Sequence, residues 1–474
     1  MKFGALHLPL AWPLLACLAA SSPVLAQQDP ELEALRQEVR AMRQDYEARI
    51  ADLEARLAAA EQSAAAGRAA PAPAATSQAG ADYGYEEPPA TSPQTVSVAP
   101  ESLINTAIGV TFQGQAWAYD NDPEDYYIPG FPLGGEAGPA PEGLSLAETE
   151  LTMSANVDDK FTAMLNVPLV IEDGETAVEI EEAWVETLGL PGGLAIRMGR
   201  FFSDIGYLND RHFHSWDFAD QPSPYQAFLG NQFLDDGLRL RWLAPTDFYL
   251  EISGEVLRGD RYPAGGAANS GVGATTLSAT TGGDIGFSHS WQFGLSWLGA
   301  DAEERASGSE DEPLLFSGDS DLYIADFTWK WAPDGNSRQR NFTFQAEYLW
   351  RDEAGAYALP DGSGGPWDSD QDGWYAQAVF QPFPRWRFGA RIDQLSGDDP
   401  GAAWIGTPLY PSGSDPRRYS LMVDWSNSEF SRLRFQYTYD SAGDGAGDNA
   451  EWGTDNQFGL QYIFSIGAHG AHTF

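Results

Sequence analysis

An all-β chain of about sixteen antiparallel strands, closed into a transmembrane barrel, is the fold this sequence predicts. Three observations predict it. First, apolar and polar residues alternate at period two through segment after segment, the mark of strands with one greasy and one wet face. The closing stretch "QFGLQYIFSIGAHGAHTF" shows it: Phe458, Leu460, Tyr462, Phe464, Ile466, Ala468 and Phe474 share even parity. Second, short turns ("VDDK", "LPGG", "APTD", "PFPR", "SNSE") alternate with long connections such as 120–144, 201–235, 300–319, 352–372 and 397–416. Short turns at one end and long loops at the other are the pattern of a membrane barrel. One connection, 172–176, is short where the pattern asks for a long one. Third, 50 glycines, 16 tryptophans, 19 tyrosines and 25 phenylalanines suit many turns and many interfacial rings. No segment after residue 26 is continuously apolar for the length a membrane helix needs.

Ahead of the barrel the chain divides into three parts. Residues 1–26 carry Lys2, an apolar core and the small-residue site Val24-Leu25-Ala26, which reads as a cleaved secretory signal. A lipoprotein cut at "LLAC" is the competing reading. The only cysteine, Cys17, lies inside this segment, so after cleavage the chain has neither a disulfide nor a thiolate metal site. Residues 27–62 read as a short coiled coil: Leu32, Leu35, Val39, Met42 and Tyr46 follow 3-4 spacing, and Ile50, Leu53, Leu57 and Ala60 resume after a stutter. A single solvated helix is the alternative, since so short a coil is marginal alone. Residues 63–100, rich in Ala, Pro and Ser, form a disordered linker. The barrel occupies 101–474. With 27 Lys and Arg against 69 Asp and Glu, the formal charge of −42 argues against nucleic acid and for attraction of cations.

The strands are expected at 104–119, 145–157, 160–171, 177–188, 193–200, 236–243, 247–258, 272–281, 290–299, 320–331, 340–351, 373–382, 385–396, 417–426, 430–440 and 456–474. Outward faces carry Phe342, Phe344, Tyr348 and Trp350; Leu421, Val423 and Trp425; Leu433, Phe435, Tyr437 and Tyr439; Phe248, Leu250, Ile252 and Val256. The opposite faces carry Gln345, Glu347, Asp424, Gln436 and Glu255, among others. A sixteen-strand lumen is wide enough for water, so polar side chains belong inside and apolar ones against lipid. The last strand closes on the first and removes both free edges.

Signal segment, coiled coil, linker and sixteen strands together resemble the coiled-coil-bearing outer-membrane porins, including the phosphate-selective type. More closely, "RFFSDIGYLNDRHFHSWDFAD", "LAPTDFYLEISGE" and "GLQYIFSIGAHGAHTF" resemble a porin-like group labelled zinc-regulated TonB-dependent outer-membrane receptors. The resemblance implies an outer membrane, with the coiled coil in the periplasm. It implies a homotrimer, and recognition of Phe474 by the barrel-assembly machinery. It also implies that the third loop, 201–235, folds inward and narrows the pore. Residues 27–100 are too short for the plug of a TonB-dependent receptor. The expected function is therefore passive diffusion of small hydrophilic solutes or ions. A TonB-dependent metal receptor and a tether to the cell wall are the alternatives.

The third loop supplies the candidate constriction: Asp204, Asp210, Arg211, Asp217 and Asp220, interleaved with aromatics. Facing it, parity places Arg197, Arg239, Arg241, Arg387, Arg391, Arg432 and Arg434 inward. Opposed basic and acidic walls set up a transverse field, or neutralise each other. His212 and His214 share a face if extended, and Asp210 or Asp217 would add oxygen ligands. Imidazole with carboxylate suits zinc. The plain alternative is that these histidines only hydrogen-bond the loop in place. His469 and His472, three apart on a strand, face opposite sides. No cofactor is required by this reading. Neither "GxSxG" nor "HExxH" occurs, and no catalytic constellation is found.

Overall fold

The computed structural model describes residues 105–467 except 173–174, 267–270, 310, 412–414 and 443–452. The signal segment, coiled coil, linker, His469, His472 and Phe474 lie outside the described residues. The period-two segments form eighteen stretches of strand. The first nine are β1 (Asn105–Ala118), β2 (Gly143–Leu146), β3 (Thr149–Asn156), β4 (Phe161–Glu172), β5 (Glu175–Val178), β6 (Glu182–Thr187), β7 (Leu194–Phe202), β8 (Leu234–Leu243) and β9 (Tyr249–Leu257). The rest are β10 (Ala274–Ile285), β11 (His289–Gly308), β12 (Pro313–Trp331), β13 (Asn341–Ala358), β14 (Gly364–Phe383), β15 (Trp386–Gly397), β16 (Arg417–Ser428), β17 (Ser431–Asp440) and β18 (Asp455–Gly467). Stretches β2 and β3 both pair with β1, and β5 and β6 both pair with β4. Each of these couples is one interrupted wall strand, so the wall counts sixteen. All pairings are antiparallel and, apart from the closure, join strands that follow one another in the wall. The sheet closes where β1 meets β18, with Phe112 opposite Phe464 and Ala118 opposite Phe458.

The side-chain sorting is that of a membrane barrel. On the outside, Phe435, Phe458, Leu460, Tyr462, Phe464, Leu421, Tyr348 and Trp350 are exposed. On the inside, Gln345, Glu347, Ser420, Asp424, Arg434, Gln436, Ser253 and Glu255 are buried. On β12 to β14 the outward face runs from Trp329, Phe342 and Phe380 through alanines to Tyr323, Trp350 and Trp374, and then turns to Asp321, Asp352 and Asp372. Tyr323 stacks on Trp350 at 5.2 Å between ring centroids. From Phe342 to Trp350 the strand rises about 27 Å, roughly 20 Å of height at the usual tilt of about 40°. That is the scale of the apolar band of an outer-membrane barrel. The aspartates mark its upper edge.

Two expected long loops are strand instead. Residues 300–319 and 352–372 belong to hairpins of 20 and 19 residues (β11, β12) and of 18 and 20 residues (β13, β14). The outward alternation turns from aromatic to acidic there, which hides the strand from a search for apolar faces. Inward residues sustain it: Ala302, Leu314, Phe316, Tyr357 and Trp367 pack with Trp404 and Leu409 into a separate apolar cluster.

Candidate functional site

The connection between β7 and β8 turns into the lumen. Its chain carries a helical turn at Phe213–Ser215 and one short helix, α1 (Ser223–Leu229), all seven residues of which are buried. Pro222 precedes α1, and Gly230 ends it in the left-handed region at φ 62°, where its amide donates to the Tyr225 carbonyl. Tyr225, Phe228, Leu229, Ile205, Leu208 and Phe233 from this connection pack on Leu322, Ile324, Leu349, Tyr375 and Leu395 of the far wall. Burial of this apolar patch is what folds the loop inward. Gly206, at φ +65°, lies so close to the Tyr225 hydroxyl and the Glu347 carboxylate that a Cβ would strike both.

Beyond Phe213 the loop is held by arginines. The Arg434 guanidinium donates to the Trp216 carbonyl at 2.5 Å and to Asp424 at 3.0 Å. Arg432 donates to the His214 carbonyl. Arg387 bridges Asp217, at 2.6 Å, to Asp424. Arg391 reaches Asp220 twice, at its carbonyl (2.8 Å) and its carboxylate (2.9 Å), and Arg418 takes the second carboxylate oxygen. Burial alone would raise the Asp220 pKa, but Arg391 and Arg418 hold it down at about 2. At the loop's root, Arg239 pairs with Glu255 at 2.6 Å and donates to the Phe202 carbonyl. Arg197 and Arg241 share Glu186, at 2.8 and 3.0 Å. Each of the seven arginines expected inward thus reaches a carboxylate. Arg387, Arg391, Arg432 and Arg434 fasten the loop, while Arg197 and Arg241 tie wall strand to wall strand.

Asp204 and Asp210 are placed differently. Asp204 carries no ion pair among the described residues, and only its amide is bound, by Glu255 at 3.0 Å. Asp210 is exposed to the lumen and meets Arg211 at 3.4 Å. Neither Asp210 nor Asp217 is brought to the histidines as the sequence reading expected; Asp217 is taken by Arg387.

The wall supplies other carboxylates to those histidines. His212 and His214 stack at 5.7 Å between centroids. His212 Nε2 lies 3.0 Å from Glu182, and its Nδ1 lies 3.3 Å from Glu181 and 3.6 Å from Glu150. His214 Nδ1 meets the other Glu150 oxygen at 2.7 Å. The Asn166 amide nitrogen sits 2.5 Å from Glu181 and 3.1 Å from His212 Nδ1. Burial works to lower the His212 pKa, but the hydrogen bonds to Glu181 and Glu182 outweigh it and hold it well above the ordinary histidine range. Glu150, Glu181 and Glu182 were missed by the sequence reading. So were Arg418 and the buried pair Arg305–Glu353, at 2.7 Å.

Two cavities flank the loop. One, of about 460 Å³, is lined by Tyr119, Tyr126, Glu148, Glu181, Tyr262 and Arg418, toward the long connections. The other, of about 230 Å³, is lined by Tyr207, Arg211, Asp217, Lys330, Thr343 and Gln345, toward the short turns. Both touch Trp216. Its indole is buried, donates to the Arg211 carbonyl at 2.6 Å and meets the Phe213 ring edge-on at 4.7 Å.

Comparison with known proteins gives a relative in Aquifex aeolicus (strain VF5), an uncharacterized protein 34% identical over 343 residues, which cover 70% of each chain. The chain belongs to that protein's family. No family model matches. Among solved structures, the outer membrane channel DcaP of Acinetobacter baumannii superposes with a TM-score of 0.50 at 13% identity, over 77% of this chain and 97% of that one. OmpT, an outer membrane protein of Vibrio cholerae, gives 0.49 at 9% identity, over 79% and 100%. The likeness to the channel is one of fold.

Proposed function

We propose that this protein is an outer-membrane porin, a passive and cation-preferring pore for small hydrophilic solutes. The observation that carries the reading is the lumen itself. A closed, polar-lined barrel holds cavities toward both ends that meet at a single indole, Trp216. The structural likeness to a channel of the outer membrane is consistent with it. Cation preference rests on charge: the arginines expected inward are matched by carboxylates, Asp204 makes no ion pair among the described residues, and Asp210 is exposed beside Arg211. With a formal charge of −42 over the chain, the surrounding potential has the same sign.

Reconstitution into planar bilayers tests this. Stable open steps without an energy source are expected, with a reversal potential of cationic sign in a salt gradient. Replacing Asp204 and Asp210 together by Asn should move that potential toward anions, and Trp216→Ala should raise the conductance. A folded barrel that stays silent in both forms would overturn the pore. The working assembly is inferred to be a trimer, from the apolar seam at 31–62. A native mass of about three chains in mild detergent is expected, and a monomer with residues 27–62 intact would refute it.

A further inference from the structure

While Glu347 is held by tyrosines, many inward carboxylates of the lumen are matched by arginine. Asp220, Asp424, Glu255 and Glu353 all follow that rule. Glu150, Glu181 and Glu182 do not: among the described residues no arginine or lysine pairs with them, and they share two imidazoles and one amide. We propose that Glu150, Glu181 and His212 form a binding site for a divalent transition-metal cation of the zinc class, with the Asn166 amide as a fourth donor.

The geometry carries this. Glu150 Oε2 and Glu181 Oε2 stand 3.6 and 3.3 Å from His212 Nδ1, and the three atoms converge within 4.8 Å. Donors about 2.0–2.1 Å from a tetrahedral zinc lie about 3.3–3.4 Å apart, so the two edges at His212 are close to that length, while Asn166, at 2.5 Å from Glu181, moves outward to join them. The Asn166 terminal amide lies 3.1 Å from His212 Nδ1 and 3.4 Å from Glu150 Oε2. Turning it about its last torsion presents oxygen in place of nitrogen, and its present partner Thr152, a hydroxyl at 3.1 Å, can accept as well as donate.

A second observation is independent of the donor atoms. The far nitrogen of His212 is held by Glu182 at 3.0 Å, and Glu182 is itself fixed by the Trp184 indole at 3.0 Å. His214 holds the second oxygen of Glu150 at 2.7 Å. Metal-bound histidines and carboxylates are commonly oriented in this way by outer partners. Held at Nε2 by Glu182, His212 turns Nδ1 toward two carboxylates, and a bound cation takes the place of the Nδ1 proton. A cation between them satisfies all three. Imidazole nitrogen with carboxylate oxygen, and no thiolate, selects zinc and its neighbours over calcium or copper(I). Glu148 and Glu181 line the larger cavity, which gives an ion its way in.

The test uses the full-length chain in detergent, stripped with a chelator and titrated with zinc alone. One ion per chain is expected, with binding lost in His212→Ala and weakened tenfold or more in Glu182→Gln, which keeps a partner for Nε2 but removes its charge. Asp217→Asn should bind as the parent does. No stoichiometric zinc in the parent, or equal binding in His212→Ala, overturns the site and leaves His212 and His214 as the groups that neutralise the glutamates. If His212→Ala does not give a folded barrel, Glu182→Gln decides, and an unchanged affinity there overturns the proposal.

Discussion

Within ten residues, one loop is fastened to its barrel in two unlike ways. From Trp216 to Asp220 it meets β15 to β17, where guanidinium groups donate to its carbonyls and carboxylates. At His212 and His214 it meets the wall around Glu150, Glu181 and Glu182, where charge of one sign accumulates around two imidazoles. The first is a set of permanent charges matched in place. The second is short of positive charge and depends on what else arrives. The difference teaches that an inward-folded loop can be locked at one end and left conditional at the other.

The largest expected effect lies on the locked side. Asp424 is fully buried and is shared by Arg434, Arg387 and Arg432. Asp424→Ala leaves Arg434 and Arg432 without a carboxylate, with Arg387 keeping only Asp217, and removal of one partner from a buried pair costs about 3–5 kcal/mol. Thermal unfolding and the mobility of unheated samples on gels should both show it. On the conditional side, His214→Ala removes the donor to Glu150 Oε1 and should cost about 1–3 kcal/mol by the same measurements. Equal losses from the two variants would break the comparison.

Acid sharpens it. The Asp220 carboxyl sits at about 2, below the ordinary aspartate value of about 3.9 in an unfolded chain. Its contribution is therefore complete above about pH 4 and lost only as the pH falls through 2. Conductance and melting of an Asp220→Asn variant, compared with the parent, should differ from pH 7 down to 4 and converge near pH 2. Convergence already at pH 5 would mean that the arginines do not hold that carboxylate. The smallest effect is expected at Asp210, exposed and only 3.4 Å from Arg211, where Asp210→Asn should change stability by less than about 0.5 kcal/mol while still altering ion preference.

The barrel was legible because lipid and lumen impose opposite chemistry on alternate residues, and that period survives in the sequence. The same parity placed Arg239, Arg391 and Arg434 inward. It failed where the strand itself is broken. Glu181 and Glu182 are adjacent, and a regular strand cannot send both to one side; the break between β5 and β6 allows it. Arg305 follows a register shift after Ala302, so the inward face changes from even to odd there. Arg418 shares the parity of Ser420 and Asp424 on a strand read correctly, and was simply passed over. The partners of His212 come from wall positions more than 25 residues away, a distance at which local spacing carries no signal.

The two hairpins that rise beyond the aspartate edge have a further consequence. Their upper halves rest on a core of their own, built from Phe316, Tyr357, Trp367 and Trp404, and not on the inward-folded loop. The turn at 359–363, between β13 and β14, lies beyond that core. An epitope inserted in that turn is expected to leave melting and conductance as in the parent.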